Sequence, residues 1–322
     1  MNFVAQRSCF GKALVELGGK NENVVVLDAD LAGSTKTCDF AAAFPDRFFQ
    51  VGIAEQNMMG TAAGLAASGK TVYASTFAVF ATGRCWDQIR QSIAYPQLNV
   101  KIVSTHCGIS VGGDGASHQA LEDVALMRVL PNMTVISPAD AEEAYKATMA
   151  MAEWDGPCYM RLGRADFPLI TSKEDEFEIG KARIVKEGKD VSIVATGQMV
   201  SLALEAARQL KEAGINAEVL NMSTIKPLDH ETLAASLDRT KCVVTAEEHS
   251  VIGGLGSAVA EYLAENDNYP LLRVGVNDSF GESGEPVDLM LKYGLTAENI
   301  TLCAKKVIGK KTKKRKGFLW RR

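Results

Sequence analysis

Short apolar runs rich in valine and isoleucine alternate with stretches of helical period along the whole chain. In the first half, runs at 24–27, 71–74, 100–103, 134–136 and 158–162 predict strands buried on both faces. Helices are predicted between them, near 4–18, 55–67, 79–94, 119–129 and 139–152. This alternation predicts an α/β chain with mainly parallel sheets flanked by crossover helices. From 167 to 189 the sequence turns polar and charged (FPLITSKEDEFEIGKARIVKEGK), which predicts a surface linker. A second α/β series follows, with strands near 191–195, 217–221, 242–246 and 271–276 and helices near 199–213, 230–237 and 254–264. The expected division is a first domain over 1–166, a linker over 167–189, a second domain over 190–304 and a basic, disordered tail over 305–322.

Composition narrows the functional classes. A chain of 322 residues with 47% hydrophobic content can bury two cores and is not disordered. No apolar run approaches the roughly 18 residues that cross a bilayer, and the amino-terminal stretch mixes Arg7, Lys12 and Glu16 into an amphipathic pattern unlike a secretory signal. The reading is a cytoplasmic protein with no membrane partner. The seven cysteines include no C-x-x-C pair and read as buried thiols in a reducing compartment. The net charge of −4 hides an asymmetry: residues 305–322 hold 10 of the 35 Lys and Arg and no acid. The remaining body sets 25 basic against 39 acidic residues, which argues against nucleic acid as a partner.

Three stretches could carry chemistry. In the first, Val51-Gly52-Ile53-Ala54-Glu55-Gln56 enters a helix of small residues, which places Glu55 at the start of a buried helix. There it either satisfies the helix dipole or serves as a buried proton donor and acceptor. In the second, Ser75-Thr76-Phe77-Ala78-Val79-Phe80 sets two phenylalanines three apart on one helical face. Core packing and a flat wall for a heterocycle are both open to them. The third, from Ser104 through His106, Gly113-Asp114-Gly115 and His118 to Gln119, is a glycine-rich loop after a strand, where α/β sheets bind ligands. It holds two of the four histidines, without the spacing of a zinc site. Gly113-Asp114-Gly115 lacks the Asn-Asn pair that a magnesium-diphosphate signature carries downstream, where only Asn132 stands. Gly253-Gly254-Leu255-Gly256 is read as a tight turn and not as a dinucleotide loop.

In order, Asp28-Ala29-Asp30-Leu31, Gly52-Ile53-Ala54-Glu55-Gln56, Ser75-Thr76-Phe77, Thr105-His106 and Gly113-Asp114-Gly115-Ala116-Ser117-His118-Gln119 resemble transketolase. The resemblance covers about 3–304 and corresponds to the pyrimidine-binding and carboxyl-terminal domains, the chain being one subunit of a split enzyme. It implies a transferase of ketol groups that uses thiamine diphosphate, with magnesium held by an amino-terminal, diphosphate-binding partner subunit in a heterotetramer. Glu55 would hydrogen-bond a ring nitrogen of the aminopyrimidine, with Phe77, Phe80, Asp30 and Leu31 around the cofactor. The next aromatic residue of the family's pocket falls on Gly83. Asp114 would read a donor hydroxyl and His118 would contact the sugar near its phosphate and act in catalysis. Arg7, Ser34, His106 and Arg164 would hold the sugar phosphate as cations and hydroxyls, with Arg161 the rival for the place of Arg164. The resemblance assigns no metal ligand to this chain. Deoxyxylulose phosphate synthase, the beta subunits of 2-oxo acid dehydrogenases and a non-catalytic interaction subunit share the architecture; Thr105-His106 favours transketolase over the first two. His249 is expected to be structural or at a subunit contact.

Overall fold

In the computed structural model, residues 2–266 and 268–319 are described, the side chains of 312–319 excepted. The chain opens with β1 (Phe3–Ala5) and α1 (Gln6–Lys20), then β2 (Val24–Asp28), α2 (Ala32–Thr35) and α3 (Cys38–Ala43). Next come β3 (Phe48–Gln50), α4 (Glu55–Ala67) and β4 (Thr71–Phe77), which leads into helical turns containing α5 (Trp86–Gln88). β5 (Val100–Thr105), α6 (Asp123–Arg128), β6 (Thr134–Ile136), α7 (Ala141–Glu153), β7 (Cys158–Arg161) and β8 (Asp166–Pro168) complete the first half. The second runs β9 (Arg183–Lys186), β10 (Val191–Ala195), α8 (Met199–Glu212), β11 (Ala217–Asn221), β12 (Thr224–Lys226) and α9 (His230–Thr240). It ends with β13 (Val243–Ser250), α10 (Leu255–Asn266), β14 (Leu271–Val276), α11 (Pro286–Lys292) and α12 (Ala297–Leu319).

The first sheet has seven strands in the order β12-β6-β7-β5-β4-β2-β3, parallel except for β12. The reason is visible in β2, Val-Val-Val-Leu-Asp, buried at every position. Strand side chains alternate between faces. Val24 and Val26 pack with Phe10 and Leu14 of α1 and Met151 of α7, whereas Val25 and Leu27 pack with Met58 and Ala62 of α4 and with Ile89. At roughly 1.5–3 kcal/mol for each fully buried aliphatic side chain, such strands drive the fold. The second sheet, β14-β13-β10-β11-β9, is built the same way, with antiparallel β9 at its edge.

Five expectations change. The single helix expected over 79–94 is broken by wide i→i+5 turns at Phe80–Arg84 and Ile89–Ala94 on either side of α5. Gly83 and the Thr82 hydroxyl, which bonds back to the Ala78 carbonyl at 2.8 Å, disfavour regular helix there. The 167–189 segment is no bare linker, because β8 pairs with β1 and β9 pairs with β11. The boundary at 304 falls inside α12, since Val307 is buried in the second core and Lys311 Nζ donates to the Thr240 carbonyl at 2.6 Å. The tail expected to be disordered is helical over 305–319, and 320–322 lie outside the described residues. All seven cysteines are free, but only Cys85, Cys107, Cys158 and Cys242 are buried. No helix among the described residues is long and apolar enough to cross a membrane.

The two halves interlock. β12 leaves the second half to pair with β6 of the first sheet. At the end of β7, Arg161 donates Nε to Asp123 Oδ2 (2.7 Å), Nη2 to Asp123 Oδ1 (3.1 Å) and both Nη atoms to the Glu248 carbonyl (3.2 Å). Tyr159 OH also donates to Asp123 Oδ2, at 2.6 Å. Both members of this ion pair are buried, so removing one strands the charge of the other. Arg161→Met is expected to lower unfolding free energy by about 3–5 kcal/mol. Urea melts against Arg164→Met as the control measure it, and a loss under about 1 kcal/mol would show that Asp123 is satisfied without Arg161.

Candidate functional site

Adjacent strands of the first sheet deliver their carboxyl ends to one edge, where open α/β sheets place their ligands. Arg164 follows β7, His106 follows β5, Phe77 ends β4, Asp30, Leu31 and Ser34 follow β2, and Glu55 opens the helix after β3.

Glu55 is 2% exposed, and its Oε2 accepts from Arg84 Nη1 at 2.8 Å. The Arg84 guanidinium in turn lies over the Phe80 ring, 4.7 Å from its centroid. Phe77 and Phe80 stack at 5.9 Å and 16°; Phe77 is buried, whereas Phe80 is partly exposed. His106 stacks on Phe77 at 3.7 Å, and His118 meets Phe80 edge-on at 5.3 Å. Glu55, Arg84 and four rings therefore form one contiguous cluster. A Cβ at Gly83 would meet nothing within 4 Å apart from its own chain neighbours, so the space beside it is open.

A second corner is cationic. Arg7 Nη1 donates to the Ser34 carbonyl (2.8 Å) and Arg164 Nη1 to the Val111 carbonyl (2.8 Å). Burial, and after it the charge of Arg164, lower the Arg7 pKa, with Asp166 pulling the other way. Arg7 Nε is buried with no partner among the described residues. Two neighbouring guanidiniums, one with an unpaired buried N–H, have the chemistry to accept an anion. His106 is not a third cation, contrary to expectation: burial first, then the charges of Arg7 and Arg164, push its imidazole down to about 3. It remains neutral, with Nδ1 2.9 Å from Thr105 Oγ1. Arg161 is no rival to Arg164, because its guanidinium is consumed by Asp123 and Glu248.

Asp30 sits exposed at φ +65°, a left-handed turn that aspartate tolerates, with its N–H donated to Gln50 Oε1 at 2.7 Å. The Leu31 N–H is held by Asp28 Oδ1 (2.7 Å), whose other oxygen accepts from Thr35 and Thr37 hydroxyls (2.7 and 2.8 Å). Asp114 stands exposed at the tip of the glycine-rich loop, and Ser117 Oγ lies 3.0 Å from His118 Nδ1. His249 is internal, its Nε2 accepting from the Ala125 N–H at 3.4 Å. The sequence motifs include Asp28, and Arg84 continues the stretch of Phe77 and Phe80, but neither was given a role; the signal for Arg84 was its place beside Gly83. Among the described residues, no group of three or more His, Cys, Asp or Glu is placed to hold a metal ion.

Residues 3–168 match the family model described as transketolase, pyrimidine binding domain, and residues 180–300 match transketolase, C-terminal domain. The chain is 54% identical over 301 residues to a protein named as a transketolase C-terminal section, from Methanocaldococcus jannaschii, covering 92% of this chain and 94% of that one. It is 47% identical over 305 residues to a 6-deoxy-6-sulfo-D-fructose transketolase subunit of Clostridium sp. (strain MSTE9), covering 95% of each. A solved structure described as a split gene transketolase, inactive β4 tetramer, superposes with a TM-score of 0.90 at 57% identity, covering 95% of this chain and 99% of that one. On its α/β fold, the two matched domains and these identities, the chain belongs to the transketolase family and carries the pyrimidine-binding and carboxyl-terminal domains.

Proposed function

We propose that the chain is the carboxyl-terminal subunit of a thiamine diphosphate-dependent transketolase. With a partner subunit it moves a two-carbon ketol unit from a ketose phosphate to an aldose phosphate. The observation that carries this reading is the meeting, at one sheet edge, of a buried carboxyl beside stacked rings with a pair of guanidiniums, joined through His106.

The residues fit the pyrimidine end of the cofactor. The stacked pair of Phe77 and Phe80 offers an apolar face, and Glu55 lies at its margin. The Arg84 side chain is 46% exposed, so solvent screens its ion pair with Glu55 and the buried carboxyl can turn to a ring nitrogen instead. When bound, the cofactor supplies the carbon nucleophile of the transfer. Glu55 holds the proton at the pyrimidine nitrogen, Phe77 and Phe80 pack the ring, and Asp30 and Leu31 border it from the neighbouring strand end. Asp114 reads a donor hydroxyl, and His118 contacts the sugar near its phosphate. Arg7 and Arg164 neutralise the phosphate, Ser34 lines it and neutral His106 hydrogen-bonds it.

The diphosphate end, with magnesium and its ligands, belongs to an amino-terminal partner subunit, and the working assembly is a cytoplasmic heterotetramer. Free thiols suit that compartment, and a relative whose β4 tetramer is described as inactive suits a chain that needs a partner. A sulfonate, as in the sugar named for the Clostridium relative, is an anion the same two arginines would accept.

Three outcomes are expected. Glu55→Gln lowers turnover of the assembled enzyme by roughly 10²–10⁴-fold with the melting temperature unchanged, because an amide cannot move the proton; near-normal turnover would return Glu55 to a helix-dipole role. Arg164→Ala raises KM for phosphorylated donors by about tenfold or more while sparing an unphosphorylated donor, and equal losses on both would make its role structural. The purified chain alone transfers no ketol group at any magnesium concentration, and a complementary chain restores activity and raises thermal stability in proportion to its affinity. Thiamine-dependent transfer by the chain shown by mass spectrometry to be free of partner would overturn the split reading.

A further inference from the structure

His106, Asp114 and His118 lie on or beside a loop with no regular structure except one short turn at Ile109–Val111. The body of this loop is buried, while Gly113, Asp114, Ala116 and Ser117 at its tip are exposed. Backbone buried outside helix or sheet must find its partners elsewhere, and here they come from the second domain. The Ser110 N–H donates to Glu248 Oε1 at 2.7 Å. Gln198 Nε2, at the start of α8, donates both to Glu248 Oε2 and to Ser110 Oγ, the latter at 3.1 Å. Gly108, at φ +76°, has no room for a side chain, because a Cβ there would collide with the Glu248 carboxyl group. At the far end of the loop, Gln119 Nε2 ties the Ile109 carbonyl (3.1 Å) to that of Glu282 (2.9 Å).

We propose that Glu248, with Gln198, is a positioning residue of the second domain that fixes the loop over 106–119 and so sets where Asp114 and His118 meet the sugar. This rests on the reading of those residues as the sugar-binding set. The geometry is that of a clamp. One carboxylate oxygen takes the Ser110 amide, the other takes the amide of Gln198, and the glycine at 108 lets the carboxylate reach that far into the loop. Glu248 itself is buried beneath the loop. The carbonyl of the same residue is gripped by Arg161 at 3.2 Å, so the clamp is anchored to the strand end that leads to Arg164.

The test uses Glu248→Ala, Glu248→Gln and Gln198→Ala in the full chain. In the isolated chain, Glu248→Ala is expected to speed amide hydrogen exchange across 108–118 by about tenfold or more, with protection of β2, β4 and β10 unchanged. Glu248→Gln restores most of that protection, since its amide can still accept from Ser110. With the complementary chain present, Glu248→Ala raises KM for a ketose phosphate by about tenfold and changes kcat by less than about threefold. If Glu248→Ala fails to fold, Gln198→Ala takes its place, with the same pattern at smaller amplitude. Unchanged exchange over 108–118 in a folded Glu248→Ala or Gln198→Ala chain overturns the proposal, as does a uniform rise in exchange throughout the molecule. A wild-type pair without ketol transfer would instead refute the proposed function, while the exchange arm still decides whether the clamp exists.

Discussion

A guanidinium can be buried between two sheets only if its charge and its N–H groups are met on the spot, and that condition organises the junction of this molecule. Arg161 ends β7 of the first sheet, takes both oxygens of Asp123 from α6, and grips the carbonyl of Glu248 from β13 of the second. Tyr159 completes Asp123. The pair is a weak source of net stability, since desolvation offsets most of the Coulomb gain, but it is costly to break. What it supplies is a fixed relation between the strand that leads to Arg164 and the strand that carries Glu248. The edge of one sheet and the contents of the other are thereby brought to the same loop.

Along that edge, charge and apolar surface are sorted rather than mixed. At the α4 side stand a buried carboxyl and rings, where a neutral heterocycle can lie. Toward α1 stand Arg7 and Arg164, whose mutual repulsion Asp166 partly offsets. His106 sits between them, stacked on Phe77 and kept neutral by burial and by the two arginines. A protonated imidazole would add a third positive charge to a partly desolvated corner. A neutral one contributes a ring face on one side and a hydrogen bond on the other.

What could be read from the chain follows from which interactions are local. Strands buried on both faces announce themselves, as Val24 to Asp28 does, because every residue must be apolar or specially paired. Helix α4 was legible for a similar reason: its small residues have no other use. The edge strands β9 and β12 were not, because β9 is only partly buried and mixes charged with apolar residues, and the buried β12 is three residues long, so the pairing of each is decided by the partner. At the site, the residue types were legible from the ordered motifs, and their charge states were not. The neutrality of His106 depends on Arg7, which lies 99 positions away in sequence. Arg161 and Arg164 look alike in the sequence and are separated only by Asp123, whose approach the fold decides.

Two further buried acids show what the junction requires. Glu143 receives the Ala139 amide (2.5 Å) and Asn221 Nδ2 (2.7 Å), and Glu248 receives the Ser110 amide. Burial, the largest influence on each, pushes both from an ordinary 4.5 up to about 7. Each therefore binds its proton more tightly in the folded than in the unfolded chain. The stability this contributes is present in full below about 4.5 and is lost as pH rises to about 7. An aliphatic pair of the same volume would join the domains without that dependence. It would also leave the Ser110 and Ala139 amides turned into the interior with no acceptor, and an orphaned buried amide costs about 1–3 kcal/mol. The acids stand at the junction because irregular backbone is buried there, and that backbone carries the loop on which the proposed substrate contacts depend.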